Sequence, residues 1–370
     1  MGFNATAVFG QDQTTPQPVS PTDIAQYIRL EQCQRYLRLQ LHTRAHGDRF
    51  LTDYDVAGQT IPPMQTRAGA SFERRIEQEV AAVLPTTRFT AERRREVHVL
   101  NDNDALLEIA RALAPGAVHV AFQPRLEAHV EGWRIRGDID LLRLERDADG
   151  RLRVLIADMK ASTASKIEHR LQVAIYHEMV RTILAEAGEA HEPISLAILY
   201  RGPVPGTTAA EAADPELLRR EREEALATLG TAAGYLELID DIAAYLGSVR
   251  DLLTGQESVA RRVLAADFDA LPFHLMPRCD GCHFNEFCMK RSAETDDLSL
   301  LPHLTEQDKA NLRTAGICTI PQLAALKQPD PADRERLLPA PAHEAVCRRL
   351  AVTWPVGQRL DELIHRAHRY

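Results

Sequence analysis

Gly137-Asp138-Ile139-Asp140 lies inside a β-rich apolar run, and Leu155-Ile156-Ala157-Asp158-Met159-Lys160 closes a second one. A helix-like segment follows, with Gln172 and Tyr176 one turn apart. Lys160 stands two residues after Asp158, so on a strand both side chains leave the same face. Gln172 and Tyr176, at i and i+4, share one face of the helix. Two carboxylates and a lysine at the ends of neighbouring strands suit metal-dependent phosphodiester hydrolysis. Mg²⁺ or Mn²⁺ takes carboxylates plus waters, here Asp140 and Asp158, with the Met159 carbonyl as a natural extra ligand. Lys160 would depress the pKa of the attacking water or neutralise charge developing in the transition state. Gln172 and Tyr176 would hydrogen-bond a nucleic-acid backbone or hold Lys160 in position.

Working outward, the 370-residue chain is long enough for one large domain or two ordinary ones, with 45% hydrophobic residues for a core. A net charge of −9 argues against a uniformly basic nucleic-acid coat, although arginine clusters at 93–95, 219–220, 261–262 and 348–349 leave room for a local basic groove. No run approaches the ~18 apolar residues of a membrane helix, and Met1 to Ser20 lacks the basic and apolar blocks of a secretory signal. A soluble cytoplasmic protein is the expectation. Lysine occurs only at 160, 166, 290, 309 and 327, never after glycine. There is therefore no Gly-Lys-Ser/Thr phosphate loop and no motor of that type in the chain.

Residues 1–19 read as a disordered leader. Ser20-Pro21-Thr22-Asp23 is a helix start, continued as one amphipathic helix through Leu41 with Cys33 in its middle. A loop from Thr52 to Met64 precedes a second helix, about Arg67 to Leu84. Glu96 to Leu100, Val118 to Phe122, Leu126 to Val130, Trp133 to Leu144 and Leu152 to Ala157 read as strands, the last two joined by a turn at 147–150. Helix from Ser165, strand from Ile194 to Tyr200, and helices over Pro215–Leu229 and Tyr235–Leu253 follow. A composition break at 294–297 sets off a helical tail, 298–370. The order predicts an α/β fold with a mixed central sheet flanked by helices.

Gly137-x-x-Asp140, Asp158-x-Lys160 and Gln172-x-x-x-Tyr176 resemble the three motifs of the RecB-like branch of the PD-(D/E)XK nucleases. The resemblance implies a restriction-endonuclease-like sheet with the active site at its opened edge, Mg²⁺ or Mn²⁺ dependence and cleavage of DNA, as an exonuclease on single-stranded ends. The family also carries a metal-binding residue on an early helix, commonly histidine in a Gly-x-x-His-Glu-like pattern. Here Gly69-Ala70-Ser71-Phe72-Glu73 has phenylalanine in that place, and Glu73 is the nearest carboxylate that could replace it. A second reading follows from this departure: a catalytically weak or inactive DNA-binding subunit serving a helicase, repair or defence complex in trans.

Of the six cysteines, Cys279-x₂-Cys282-x₅-Cys288 forms a three-thiolate hook, and Cys33 is the plausible fourth ligand. Zinc and iron–sulfur clusters both usually take four. His283 offers a Cys₃His alternative for zinc, and Cys318 and Cys347 read as core thiols. One distant cysteine plus a late C-x₂-C-x₅-C resembles the iron staple of AddB-type and CRISPR-adaptation nucleases of the same branch. That likeness implies a [4Fe–4S] cluster closing a nuclease domain over residues 20–297. The region from Leu298 to Leu326 resembles a degenerate helix-hairpin-helix, without the usual glycine at Pro302-His303-Leu304. A zinc-dependent nucleic-acid-binding module of other ancestry is the remaining alternative.

Overall fold

Ser20 opens helix α1 (Pro21–Arg29) as its sequence dictates: proline occupies the first turn and the Asp23 carboxylate accepts the Ser20 N–H at 2.9 Å. The computed structural model describes residues 8–10, 16–59, 63–204, 206–333 and 336–370. The single helix expected through Leu41 is two. Glu31 and Gln32 take positive φ (54° and 59°), and α2 (Gln34–His46) begins after them, with Cys33 at its N-terminal boundary rather than mid-helix. Two consecutive left-handed residues without glycine are unfavourable and persist only where neighbours hold them. Arg278 does so, pairing with Glu31 (3.1 Å) and donating to the Arg29 carbonyl (3.2 Å). Buried Asp23 then clamps the two helices together through a bidentate contact with Arg44 at 2.8 Å.

The central sheet has six strands: β2 (Thr86–Arg88), β3 (Val118–Phe122), β6 (Leu141–Arg146), β7 (Leu152–Lys160), β8 (Ser195–Tyr200) and β9 (Tyr235–Leu238), in that spatial order. The β2–β3 and β7–β8 pairs are parallel and the others antiparallel, so the sheet is mixed as expected. Its two faces are covered separately. Leu142, Leu144, Val154 and Ile156 join the core that includes α1, α2 and the long helix α5 (Ile167–Glu186). Their alternates Leu141, Leu155, Ala157 and Met159 pack with Phe72, Ile76 and Val80 of α3 (Pro63–Ala81) and with Ala225 and Leu229 of α6 (Pro215–Leu229). Burial on both faces is why β7 reads as a continuous apolar run instead of alternating.

The run Trp133–Leu144 is not one strand. It breaks at Ile139-Asp140 into β5 (Trp133–Asp138) and β6, and β5 belongs to a second sheet with β1 (Gln17–Val19) and β4 (Arg125–Val130). The β1 strand corrects the expected leader. Residues 17–19 are buried and pair with β5, and Phe9 packs in the main core; residues 1–7 and 11–15 lie outside the described residues, as do 60–62 of the expected loop. Helix α4 (Asn103–Ala112) buries Leu106, Leu107 and Ala110. The strand expected over Glu96–Leu100 is absent: a helix over Ala91–Glu96 runs into a turn with His98 at φ 56°, and Val97, Val99 and Leu100 are exposed. Arg94 folds this segment back by reaching buried Asp102 at 2.6 Å.

Tyr235–Leu253 was expected to be helical throughout, yet its first four residues add β9 to the sheet edge, where Tyr235 stacks on its register partner Tyr200 (5.6 Å, 25°). The C-terminal region carries its own apolar cluster, from Leu298 to Ala367. It holds helices at 306–314, 320–324, 344–351 and 360–369, but also an antiparallel pair, Lys327–Pro329 with Leu337–Pro339, so it is not wholly helical. Gly316 takes a positive φ (86°) between the first two of those helices. Among the described residues no helix is long and apolar enough to cross a membrane.

Candidate active site

The chain crosses between the two sheets twice at one place, from β3 to β4 and from β5 to β6. The crossings are tied together by Gln123 N–H to the Asp140 carbonyl (3.2 Å) and Ile139 N–H to the Pro124 carbonyl (3.1 Å). The last β6–β7 partners are Leu141 and Ala157, so Asp140 and Asp158 stand opposite each other one step beyond the ladder. There β7 continues with β8 alone, through Lys160 opposite Tyr200. Met159 N–H, left without a β6 carbonyl, donates to Asp140 Oδ2 at 2.7 Å. Gln123 Nε2 donates to Asp140 Oδ1 at 3.2 Å.

Asp158 is buried at 1% exposure, with Oδ2 2.6 Å from Lys160 Nζ. That contact has ion-pair distance, and Oδ2 accepts no hydrogen bond of good geometry. Burial raises the Asp158 carboxyl well above its ordinary range; Lys160 opposes the rise and Asp140 adds to it. For Lys160, burial alone would lower the ammonium, but Asp158, Asp140 and Glu73 outweigh it and the pKa is raised. The three acidic side chains thus favour the ammonium form of Lys160.

Gln172 and Tyr176 do share a face of α5, and their hydrogen bonds go elsewhere than to Lys160. Gln172 Nε2 donates to Asp158 Oδ1 (3.2 Å) and lies 3.3 Å from the Tyr176 hydroxyl, which donates to the Asp138 carbonyl (2.8 Å). Both are buried, so they act on the protein's own carboxylate and crossing strand rather than on a nucleic-acid backbone. Gly137 is needed here: an added Cβ would come 2.8 Å from Tyr176 Cε1 and 3.1 Å from Pro21 Cδ.

On α3, Phe72, in the place of the expected histidine, is buried against the sheet with Leu141 and Met159. Glu73 turns the other way and is half-buried. Burial and then Asp140 raise its carboxyl, with Lys160 opposing, which places it within electrostatic reach of both. Glu77, one turn on, was not singled out from the sequence. Its Oε2 pairs with Arg88 at 3.2 Å, Oε1 is buried without a hydrogen bond, and Asp140 raises its carboxyl after burial does. The i, i+4 spacing from Glu73 was the available signal. Gln123 carried no signal, because it reaches Asp140 only through the strand crossing. His169, one turn before Gln172, was also missed. Burial, then Lys160, Lys166 and Arg170, push its imidazole down to about 3, and Nδ1 has no partner.

Cys33, Cys279, Cys282 and Cys288 line a single cavity with Leu30, Tyr36, Phe273 and Phe284. Burial raises all four thiols, Cys282 to about 12. Around them the hook is fastened to α1 by Arg29 Nη2 donating to the Gly281 carbonyl at 3.1 Å. The His283 ring is directed at residues 58–59, its Nδ1 2.9 Å from the Gln59 carbonyl, and it does not line the cavity. Cys347 is a core thiol of the C-terminal cluster, whereas Cys318 is exposed, contrary to expectation. Among the described residues, no three His, Cys, Asp or Glu side chains are already arranged as the ligand set of one ion. At the candidate site, Asp140 and Asp158 are instead hydrogen-bonded or paired to Met159 N–H, Gln123, Gln172 and Lys160, and the four cysteines do not form such a set either.

A solved structure described as "Crystal structure of SSO0001" is 14% identical, covering 76% of this chain and 91% of that one, with a TM-score of 0.21, and nothing is built on that superposition. No curated protein matches the chain. The model of the PD-(D/E)XK nuclease superfamily matches residues 44–289, which include Glu73, Asp140, Asp158, Lys160 and the whole cysteine hook. The chain belongs to the PD-(D/E)XK nuclease superfamily.

Proposed function

We propose that the chain is a metal-dependent deoxyribonuclease of the RecB-like branch, acting as an exonuclease on single-stranded DNA ends. The observation that supports this best is the opening of the β6–β7 ladder, which sets Asp140 opposite Asp158 with Lys160 against it. Asp140, Asp158, Glu73 and the Met159 carbonyl are the groups that would hold Mg²⁺ or Mn²⁺. The chemistry of the donors suits such an ion: Asp158 and Glu73 each feel the charge of Asp140, and Asp158 Oδ2 lacks a hydrogen bond. When bound, such an ion supplies Lewis-acid stabilisation and a water of lowered pKa. Lys160, held protonated, neutralises charge on the phosphoryl oxygens as water adds and the ester bond breaks. Gln172 and Tyr176 keep Asp158 and the crossing strand in place.

The four cysteines are read as ligands of a [4Fe–4S] cluster rather than of zinc. Four thiols meet in one apolar cavity, and coordination is what would offset the cost of ionising them there. The cluster would staple Cys33 to residues 279–288 and make 20–297 the nuclease unit, with 298–370 a separate module. A helicase or defence or repair protein in trans would supply the strand, in the cytoplasm. The second reading, a catalytically weak or inactive DNA-binding subunit, is favoured by Phe72 in the histidine's place and by the lack of a phosphate loop in the chain.

Degradation of end-labelled single-stranded DNA with Mn²⁺ separates the readings. Lys160→Ala should lose about 10²–10³-fold in rate, and equal rates in both proteins would show that this is not the active site. Circular single strands should resist; their cleavage would exclude a strict exonuclease. Anaerobically purified protein should be brown, and colourless protein with stoichiometric zinc would sink the cluster assignment.

A further inference from the structure

Arg35 stands two residues after Cys33 and is 3% exposed, yet its Nε and Nη1 have no hydrogen-bond acceptor. A buried guanidinium without a carboxylate is rare, because desolvating the charge is costly unless it is paired. Rings cover it in part. Its guanidinium carbon lies 3.3 Å from the centroid of Phe273 and 5.1 Å from that of Phe268.

Arg35 itself lines not the cysteine cavity but a neighbouring pocket, with Asp269, Arg291, Asp297 and Arg313, and both acids there are already engaged. Asp269 accepts from Arg291 through both oxygens (2.5 and 2.6 Å). Asp297 Oδ1 accepts from Lys309 (2.7 Å) and from the backbone N–H and hydroxyl of Ser299. On its other side, Phe273 lines the cysteine cavity, and the charge of Arg35 is felt at both Cys288 and Cys33.

We propose that Arg35 is the built-in counter-ion of the group held by the four cysteines, setting how readily that group accepts an electron. The inference rests on the cluster reading above. A cluster carried by four thiolates is a net anion, and each added electron makes it more negative. A fixed cation stacked on Phe273, a residue of the cavity wall, favours the reduced form, since net charge and hydrogen bonds to the sulfurs are among the terms that set cluster potentials. No bond forms or breaks in this role. Arg35 acts through charge on the cluster and touches no reacting phosphate.

The test is a redox titration of the full-length, anaerobically purified protein, followed by absorbance and electron paramagnetic resonance, for wild type, Arg35→Met and Arg35→Lys. Arg35→Met keeps the apolar stem without the charge and should shift the equilibrium about tenfold toward the oxidised cluster, about 59 mV for a one-electron couple. Arg35→Lys, which keeps a cation, should stay near the wild-type midpoint. Loss of iron in Arg35→Met with retention in Arg35→Lys also supports the role. Equal midpoints in wild type and Arg35→Met overturn the inference alone. Equal displacement of both variants, or loss of iron from both with the fold intact by circular dichroism, shows that packing rather than charge matters and overturns it too. A wild type without iron overturns the cluster reading and this inference together.

Discussion

At Gly137 one methyl group is enough to disturb the site. Its Cβ would press on the ring of Tyr176, which is fully packed and fixed by its hydroxyl to Asp138. Gly137→Ala should destabilise the fold by about 1–3 kcal/mol in urea unfolding and lower nuclease activity with it. Unchanged stability would mean that the ring can move freely. Tyr176→Phe removes only the hydroxyl and should cost about 1 kcal/mol, with a smaller loss of activity than Lys160→Ala. The spacing Gly-x-x-Asp was legible in the sequence, but its physical reason was not, because the ring that forbids a side chain comes from a helix 39 residues later.

At the scale of elements, α3 brings Glu73 and Glu77 toward Asp140 while Phe72 fills the core. Glu73→Gln should reduce the rate at limiting Mn²⁺ by about tenfold or more, with partial recovery as Mn²⁺ is raised, if it supplies one ligand contact. Glu77→Gln should have the smaller effect, since Arg88 already holds one of its oxygens. The opposite ranking would move the third carboxylate one turn along the helix. The capped start of α1 and the run of α5 were legible. What was not legible depends on contacts distant in sequence. The break before Cys33 is held by Arg278, the 96–100 segment is folded back by Arg94 on Asp102, and β9 is recruited by Tyr200. Local periodicity contains none of these. Within the candidate site, the common face of Asp158 and Lys160 follows from strand alternation. Asp140, by contrast, lies in the break between β5 and β6 and was legible only through its likeness to a Gly-x-x-Asp motif. Gln123 and His169 enter through tertiary placement alone.

For the molecule as a whole, Lys309 fastens the C-terminal cluster to the segment leading into the hook. Its ammonium is 3% exposed, donates to the Phe273 carbonyl (2.9 Å) and pairs with Asp297. Burial, opposed by Asp297, lowers it from 10.5 to about 8. Below about 8 both folded and unfolded chains carry the proton and the burial cost applies in full. Between 8 and 10.5 the unfolded chain binds more protons, so this group makes stability rise with pH across that window, by an amount on the order of 3 kcal/mol. Denaturation of the full chain at pH 7.5 and 10 should show the rise, and Lys309→Met should flatten it. An identical slope in the variant would assign the pH dependence to other groups.

The fastening of α1 to Gly281 and Arg278 also has a consequence for the order of events as the chain is made. Residue 33 leaves the ribosome long before residue 288, and at about 5–20 residues per second the interval is on the order of 10–50 s. Throughout it, the left-handed turn at Glu31-Gln32 lacks the arginine that holds it, and Cys33 waits without its three companions. The nascent amino-terminal helices should therefore stay protease-sensitive until the hook emerges, and closure of the fold should be a late, high-contact-order event.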